Sequence, residues 1–176
     1  MGLLIDGVVY MVTEYQHVKP GKGSAFVRCK MRNVKTNQVL ERTFRSSEKL
    51  DDVTLEERRM QNLYSSTDGQ HFMDMTTYEE VVVPETAIEG ARFLQDNLEV
   101  VGLFYNGAVV KVSVPNFIIA MVTQSDPGLK GDSSKSGGKP ATIDTGATIQ
   151  VPLFINAGEV IKVDTRTGTY VERAKK

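Results

Sequence analysis

The sequence predicts an all-β protein made of small barrel domains, and three observations lead to this fold class. Short β-rich runs separated by turn residues recur along all 176 residues, which is typical of small barrels or sandwiches. Helical periodicity is scarce and is confined to one short segment. Asn106-Gly107 separates two β-rich runs and is the strongest short-range hairpin signal. The length leaves room for one medium domain or for two to three small ones.

In the first third, β-rich runs alternate with polar turns. Asp6-Gly7 and Thr36-Asn37 are typical turn dipeptides. Strands are therefore expected at residues 3–5, 8–14, 25–33 and 38–44.

The middle third follows the strand order of a five-stranded OB-type barrel. Strands are expected at residues 58–64, 70–74, 78–83, 100–105 and 108–114. After Pro84, apolar residues recur at intervals of three and four, which predicts a short amphipathic helix. These residues are Ala87, Ile88, Ala91 and Leu94. Residues 54–62 also fit a capping box and hence a helix, but the polar turn after Tyr64 favours a strand and hairpin.

The last third repeats this scheme and predicts a second barrel of the same type. Strands are expected at residues 117–125, 141–143, 148–151, 160–164 and 170–173. A Gly-, Ser- and Lys-rich stretch at residues 126–140 is long for a structureless connection. The three domains are then predicted at residues 1–52, 53–116 and 117–176.

Composition excludes several classes of protein. With 40% hydrophobic and 24% charged residues, the chain is neither disordered nor membrane-spanning. No secretory signal is visible, so a cytoplasmic location is expected. Cys29 alone cannot form an internal disulfide, and one Cys with two His is too few for a structural zinc site. We expect no metal and no cofactor.

Charge is distributed unevenly, although the net charge is only −1. Residues 1–50 contain nine Lys and Arg against four Asp and Glu, residues 51–117 four against twelve, and residues 118–176 eight against six. Both ends could therefore meet a polyanion while the acidic middle is held away from it. Chance clustering on solvated faces is the alternative.

The segment between the second and third predicted strands forms a hairpin tip with Lys22 at its apex. Its other residues are Lys19, Pro20, Gly21 and Gly23. Pro20 presets φ for the first corner of a turn, and Gly21 is expected to supply positive φ at the second. The spacing does not fit a phosphate-binding P-loop. An ordinary basic turn is the alternative reading.

Beyond the tip, Arg28, Lys30 and Arg32 alternate with apolar residues and should share one face of a strand. At about 3.3 Å of rise per residue, the cations lie roughly 7 Å apart. Such a row suits a nucleic-acid backbone. A solvent-facing half of a sheet fits equally well.

The sequence contains no enzyme constellation. Adjacent acidic residues such as Glu56-Glu57 point to opposite faces of a strand. His17 and His71 have no Ser or Asp at suggestive spacing. Gly131-Asp132-Ser133 is compatible with a metal or phosphate site but is more often a simple turn. We expect no catalytic residue.

Several blocks of the chain, in order, resemble the bacterial elongation factor P family, a relative of eukaryotic and archaeal initiation factor five A. The first block is HVKPGKGSAFVR at residues 17–28, followed by ERTFRS at 41–46. The middle blocks are ARFL at 91–94 and LFYNG at 103–107. The last blocks are DPGLKGD at 126–132, KPAT at 139–142 and GEVIKVDT at 158–165.

The resemblance implies three β-barrels in an L-shaped arrangement like a transfer RNA, an SH3-like barrel followed by two OB-folds. Members bind the ribosome between the peptidyl and exit sites and relieve stalling at consecutive prolines. The hairpin lysine, here Lys22, is often extended by a modifying enzyme and steadies the CCA end of peptidyl-tRNA. The turn here formed by Gly131, Asp132 and Ser133 is expected near exit-site messenger RNA. We expect a monomer that contacts ribosomal RNA and peptidyl-tRNA, away from any membrane.

Two departures from the family pattern affect these expectations. Ser133 replaces the usual threonine of the messenger turn, which keeps the hydroxyl. The usual leader before the first strand is missing, so the first barrel is expected to lack an edge segment. The alternatives are the elongation-factor-P-like paralogue and a non-ribosomal OB-type RNA-binding protein. An enzyme using Lys22 as a Schiff-base amine is more remote, because that amine would need to be desolvated.

Overall fold

The computed structural model describes residues 1–126 and 138–175. The part of the chain it describes is built of sixteen β-strands and two 3₁₀ turns, so the predicted all-β class is confirmed. None of the described helical segments has the length and apolar character needed to cross a bilayer. The chain divides into two compact units, Met1–Arg58 with Gly102–Lys111 and Arg59–Val101 with Val112–Lys176.

The first sheet contains five strands in the order β4-β3-β2-β1-β5. They are β1 (Gly2–Ile5), β2 (Val8–Val18), β3 (Phe26–Asn33), β4 (Val39–Arg45) and β5 (Asp51–Val53). The positive φ values of Asp6 and Asn37 confirm the predicted turns. One face of this sheet buries Leu3, Met31 and Phe44, and this apolar burial is the main force holding it.

The second sheet has six strands in the order β8-β7-β6-β10-β11-β9. They are β6 (Leu55–Ser66), β7 (Gly69–Asp74), β8 (Glu80–Val83), β9 (Ile88–Glu89), β10 (Glu99–Tyr105) and β11 (Ala108–Ser113). The strand interpretation of residues 54–62 is therefore confirmed over the helical one. Asn106 and Gly107 have φ of 50° and 75°, as the predicted two-residue hairpin requires.

The helix predicted after Pro84 is wrong. Its place is taken by two 3₁₀ turns, Glu85–Ala87 and Ala91–Phe93, on either side of β9. Ile88 pairs in parallel with Val112, so its backbone bonds to a strand. Gly90 then adopts φ of 81°, a left-handed conformation that ends helical periodicity. Of the four residues in the predicted spacing only Ile88 is buried, whereas Ala87, Ala91 and Leu94 are partly buried, and the buried Phe93 lies outside that spacing.

The last five strands form a closed barrel in the order β12-β13-β14-β16-β15. They are β12 (Phe117–Ser125), β13 (Gly138–Ile143), β14 (Thr148–Pro152), β15 (Val160–Asp164) and β16 (Thr169–Arg173). The predicted strands are confirmed, although β13 begins at Gly138, inside the stretch expected to be a connection. Lys139 is buried there and its Nζ donates to the Asp126 carbonyl at 2.6 Å.

Phe93 is 1% exposed and packs into the core of this last barrel, although it lies on the segment between β9 and β10. Nearby, the Gln95 side-chain amide donates to the Ile119 carbonyl at 2.9 Å. The Thr165 hydroxyl donates to the Pro115 carbonyl at 2.6 Å. Phe93 and Gln95 thus tie the segment before β10 to the last barrel within one compact unit, and Thr165 ties the β11–β12 connection to the same barrel.

Candidate nucleic-acid interface

The hairpin formed by β2 and β3 ends in an exposed tip. All of residues 19–24 are exposed, as the sequence predicts. Among the described residues, none hydrogen-bonds to the Lys22 side chain or forms an ion pair with it. Lys22 therefore presents its ammonium group to solvent, where an external ligand can reach it.

The conformation of the tip differs from the prediction in one respect. Positive φ is found at Gly23, at 116°, and not at Gly21. A Cβ atom on Gly23 would meet only Pro20 Cγ, at 3.8 Å. The constraint on Gly23 is therefore the backbone conformation and not space, because φ near 116° strains any residue with a side chain.

The predicted alternation along β3 is confirmed. Arg28, Lys30 and Arg32 are exposed, whereas Cys29 and Met31 between them are buried. The buried side chains belong to the core of the first sheet. Packing of one face thus fixes the direction of the three cations on the other.

Sequence reasoning missed the acidic residues that share this cationic face. Pairing places Glu14 of β2 and Glu41 of β4 on either side of Lys30. Glu41 pairs with Arg28 at 3.3 Å and Glu14 pairs with Lys30 at 3.7 Å. Each partner is about half exposed or more, so these ion pairs are weak and open to exchange with phosphate.

The position of these two carboxylates beside the cations depends on the register of three strands, so no single strand of the sequence indicates it. Arg45 on β4 pairs with Phe26 and so joins the same face. This face then carries two glutamates and four cations, namely Arg28, Lys30, Arg32 and Arg45. The face remains positive, which suits a polyanion.

A second polar cluster surrounds His71, which is 8% exposed. Nε2 of its ring lies 2.7 Å from the Ser66 hydroxyl, and Nδ1 contacts a carboxylate oxygen of Glu80. The Tyr64 ring stacks on the imidazole with centroids 4.3 Å apart, and its hydroxyl donates to the same Glu80 oxygen at 2.8 Å. A carboxylate only accepts, so Nδ1 donates.

Although His71 has no Ser or Asp at suggestive spacing in the sequence, the fold brings the Ser66 hydroxyl to its ring. Ser66, His71 and Glu80 come from β6, β7 and β8, so the pairing of the sheet unites residues that are separate in sequence. The Ser66 hydroxyl also accepts from the Asp68 backbone amide at 3.2 Å. We assign the cluster to holding three strands together.

The hydrogen bonds of this cluster shift two pKa values in opposite directions. Bonds from His71 and then Tyr64 lower the pKa of Glu80 below its usual 4.5. The bond to Glu80, with smaller effects of burial and charge, raises the pKa of Tyr64. Both shifts favour a carboxylate that accepts from a neutral phenol.

Two further expectations concern the predicted messenger turn and metal binding. Gly131, Asp132 and Ser133 lie outside the described residues. Over residues 1–126 and 138–175, no group of three or more His, Cys, Asp or Glu side chains is arranged to hold a metal ion.

Three family models match consecutive parts of the chain. The elongation factor P (EF-P) KOW-like domain matches residues 1–50, and the elongation factor P (EF-P) OB domain matches residues 55–112. The model described as elongation factor P, C-terminal, matches residues 118–173. Together they span most of the chain.

Individual proteins with the same name are similar along nearly the whole length. Elongation factor P of Natranaerobius thermophilus is 47% identical over 176 residues, covering 99% of this chain and 94% of that protein. Elongation factor P of Microcystis aeruginosa is 50% identical over 170 residues, covering 96% and 92%. Among solved structures, eukaryotic translation initiation factor 5A from Methanococcus jannaschii has a TM-score of 0.49 and 27% identity, over 63% of this chain and 84% of that one.

Proposed function

Because the chain belongs to the elongation factor P family of translation elongation factors, we propose that it promotes peptide-bond formation by presenting Lys22 to the CCA end of peptidyl-tRNA. The observation that carries this proposal is the exposed tip of the β2–β3 hairpin, with Lys22 between two glycines. The cations of β3 lead away from that tip along one face. We assign residues 1–52, 53–116 and 117–176 to the three domains of the family.

The proposed mechanism is positioning without covalent chemistry. Proline has a fixed φ and reacts slowly when the peptidyl end is badly oriented. Holding that end in place lowers the barrier by removing translational and rotational freedom. An ammonium group on a flexible stem can donate to phosphate or sugar oxygens at the reaction centre. The factor needs no catalytic residue for this, so we propose that it is not an enzyme.

The partners follow from this role. We propose binding between the peptidyl and exit sites, with Arg28, Lys30 and Arg32 against the RNA backbone. Gly131, Asp132 and Ser133 are assigned to messenger RNA at the exit site. A cytoplasmic enzyme that extends Lys22 would find it fully accessible, and the factor is proposed to act in the cytoplasm as a monomer.

The Lys22→Ala substitution tests the central role of the tip. We expect unchanged folding, because Lys22 has no described partner, and loss of polyproline rescue in a reconstituted translation assay. Lys35→Ala is the matched control, since Lys35 is an exposed lysine of the same sheet, in the β3–β4 turn. Rescue by Lys22→Ala at the parent level would refute the proposal. Intact-mass measurement of the protein from its native host would show whether Lys22 carries an addition.

Replacing Arg28, Lys30 and Arg32 together by Gln tests the RNA face. Each lost phosphate contact should lower the slope of log affinity against log salt by about 0.7 to 0.9. Ribosome association measured at several salt concentrations should therefore weaken and become less salt-dependent. The double variant Lys35→Gln with Lys49→Gln removes exposed cations elsewhere in this region and should keep the parent slope. An equal slope in the triple variant would place the RNA face elsewhere.

A further inference from the structure

The face of the β2–β3 hairpin opposite the cations changes character toward the tip. Near the base, Val12 lies opposite Met31, and both belong to the packed core. Further out, the same face carries Tyr15 opposite Cys29 and His17 opposite Val27. Tyr15 is 71% exposed. Toward the tip, the face that packs into the core near the base of the hairpin is therefore exposed to solvent.

Tyr15 and His17 form an aromatic pair on this extension. Their ring centroids are 6.3 Å apart and the planes meet at 85°. An edge contact of this kind restricts the orientation of the rings while covering at most one face of either. Because Tyr15 is mostly exposed, a face of its ring is open to solvent on the hairpin that ends in Lys22.

Cations lie beyond the pair at the tip and beside it on the same face. Lys19 and Lys22 follow the pair toward the tip, whereas Arg28 and Lys30 lie on the opposite face, where Glu14 is paired with Lys30. Arg42 of β4 lies opposite Cys29, so its guanidinium extends the row that begins at Tyr15. That guanidinium lies 5.3 Å from the Phe44 ring centroid and 3.9 Å from an Asp6 carboxylate oxygen. Exposed aromatic rings among cations suit a single-stranded nucleic acid, since every base has a π face.

We propose that Tyr15 and His17 form a stacking platform for one unpaired base of the RNA that the hairpin approaches. This inference rests on the proposed function and adds a second contact to it. The cationic face follows the phosphates while the opposite face takes a base. Holding an RNA end at both its backbone and a base would fix its rotation, which a single ammonium contact at Lys22 does not.

The first test compares two substitutions of Tyr15 in the polyproline rescue assay. Tyr15→Ala removes the ring and should raise the factor concentration for half-maximal rescue about fivefold or more, the lower limit for loss of one base stack. Tyr15→Phe keeps the ring and should stay within about twofold of the parent. Tyr78→Ala is the control, because Tyr78 is 75% exposed on the second sheet's β7–β8 connection, and it should change nothing.

The second test reads stacking directly. The chain contains no tryptophan, so Tyr15→Trp introduces a single tryptophan at the platform, whose emission can be excited selectively. An RNA minihelix ending in CCA should quench its emission saturably, and the same minihelix with abasic terminal nucleotides should not. Light scattering of the parent and of Tyr15→Ala should give equal masses.

Several outcomes would overturn the platform. These are parent-level rescue by Tyr15→Ala, equal damage by Tyr15→Phe, equal quenching by the abasic RNA, or a change of mass that reveals a face between copies of the chain. If Lys22→Ala abolishes rescue while Tyr15→Ala does not alter it, only the platform fails. If Lys22→Ala leaves rescue intact, the proposed function itself fails.

Discussion

Two side chains with ionisable groups, Lys22 and His71, occupy opposite environments. Lys22 is exposed at the end of a hairpin, whereas His71 is buried beneath the Tyr64 ring between Ser66 and Glu80. The first is free to meet an external ligand. His71 instead hydrogen-bonds inside the protein. Its partner Glu80 makes the stability of this sheet depend on pH.

Glu80→Gln should remove an acid-sensitive part of the free energy of unfolding. The folded-state pKa of Glu80 lies below its usual 4.5, so its stabilising contribution is present above pH 4.5 and is lost as pH falls through the folded pKa. Urea unfolding at a series of pH values should show the largest difference between parent and variant above pH 4.5. Glu79→Gln is the neighbouring control. A difference that grows toward low pH would contradict the assignment.

Residue-scale features were predictable where they depend on adjacent residues. Lys22 stands out because Pro20, Gly21 and Gly23 describe a turn around it. The partners of His71 could not be predicted, because Ser66 and Glu80 reach it only through the pairing of three strands. The positions of Glu14 and Glu41 beside the cations could not be predicted for the same reason.

At the scale of elements, the hairpin tip depends on one glycine more than on the other. Gly23→Ala should disturb the tip, because φ of 116° at that position is nearly closed to residues with a Cβ atom. Gly21→Ala is the matched control, since Gly21 lacks positive φ and nothing lies within 4 Å of a Cβ there. We expect Gly23→Ala to lower polyproline rescue severalfold and Gly21→Ala to retain it. Similar rescue by both would contradict a conformational requirement at Gly23.

Strands were predictable because alternation and turn dipeptides are local signals. The exact bounds of β12 and β15 matched, and both have one face in the barrel core. The segment from Pro84 to Leu94 was not predictable in this way. Its apolar spacing is helical, but the parallel pairing of Ile88 with Val112 and the left-handed Gly90 are set by distant strands.

On the scale of the molecule, Phe93 joins the second sheet's long connection to the last barrel. Phe93→Ala should lower the free energy of unfolding by about 3 to 5 kcal/mol, because it empties a site in the barrel core. Phe117→Ala, on the 44% exposed Phe117 of the same barrel, should cost under about 1 kcal/mol. Urea unfolding of both variants checks this. Equal losses would contradict the placement of Phe93.

The succession of small barrels and the family were predictable from sequence, whereas the packing of Phe93 into the last barrel was not. Phe93 was recognised as part of a characteristic block, but no local pattern indicates which barrel receives its ring. The answer depends on the packing of Ile118, Val163 and their neighbours around it.

The outer position of β4 has a consequence for how the protein behaves at high concentration. An outermost strand offers unpaired amide and carbonyl groups on which a foreign strand can add, and this leads to aggregation. The exposed charges of Glu41, Arg42 and Arg45 on β4 oppose such addition. The charged residues that border the β2–β3 hairpin therefore also keep neighbouring copies from pairing edge to edge.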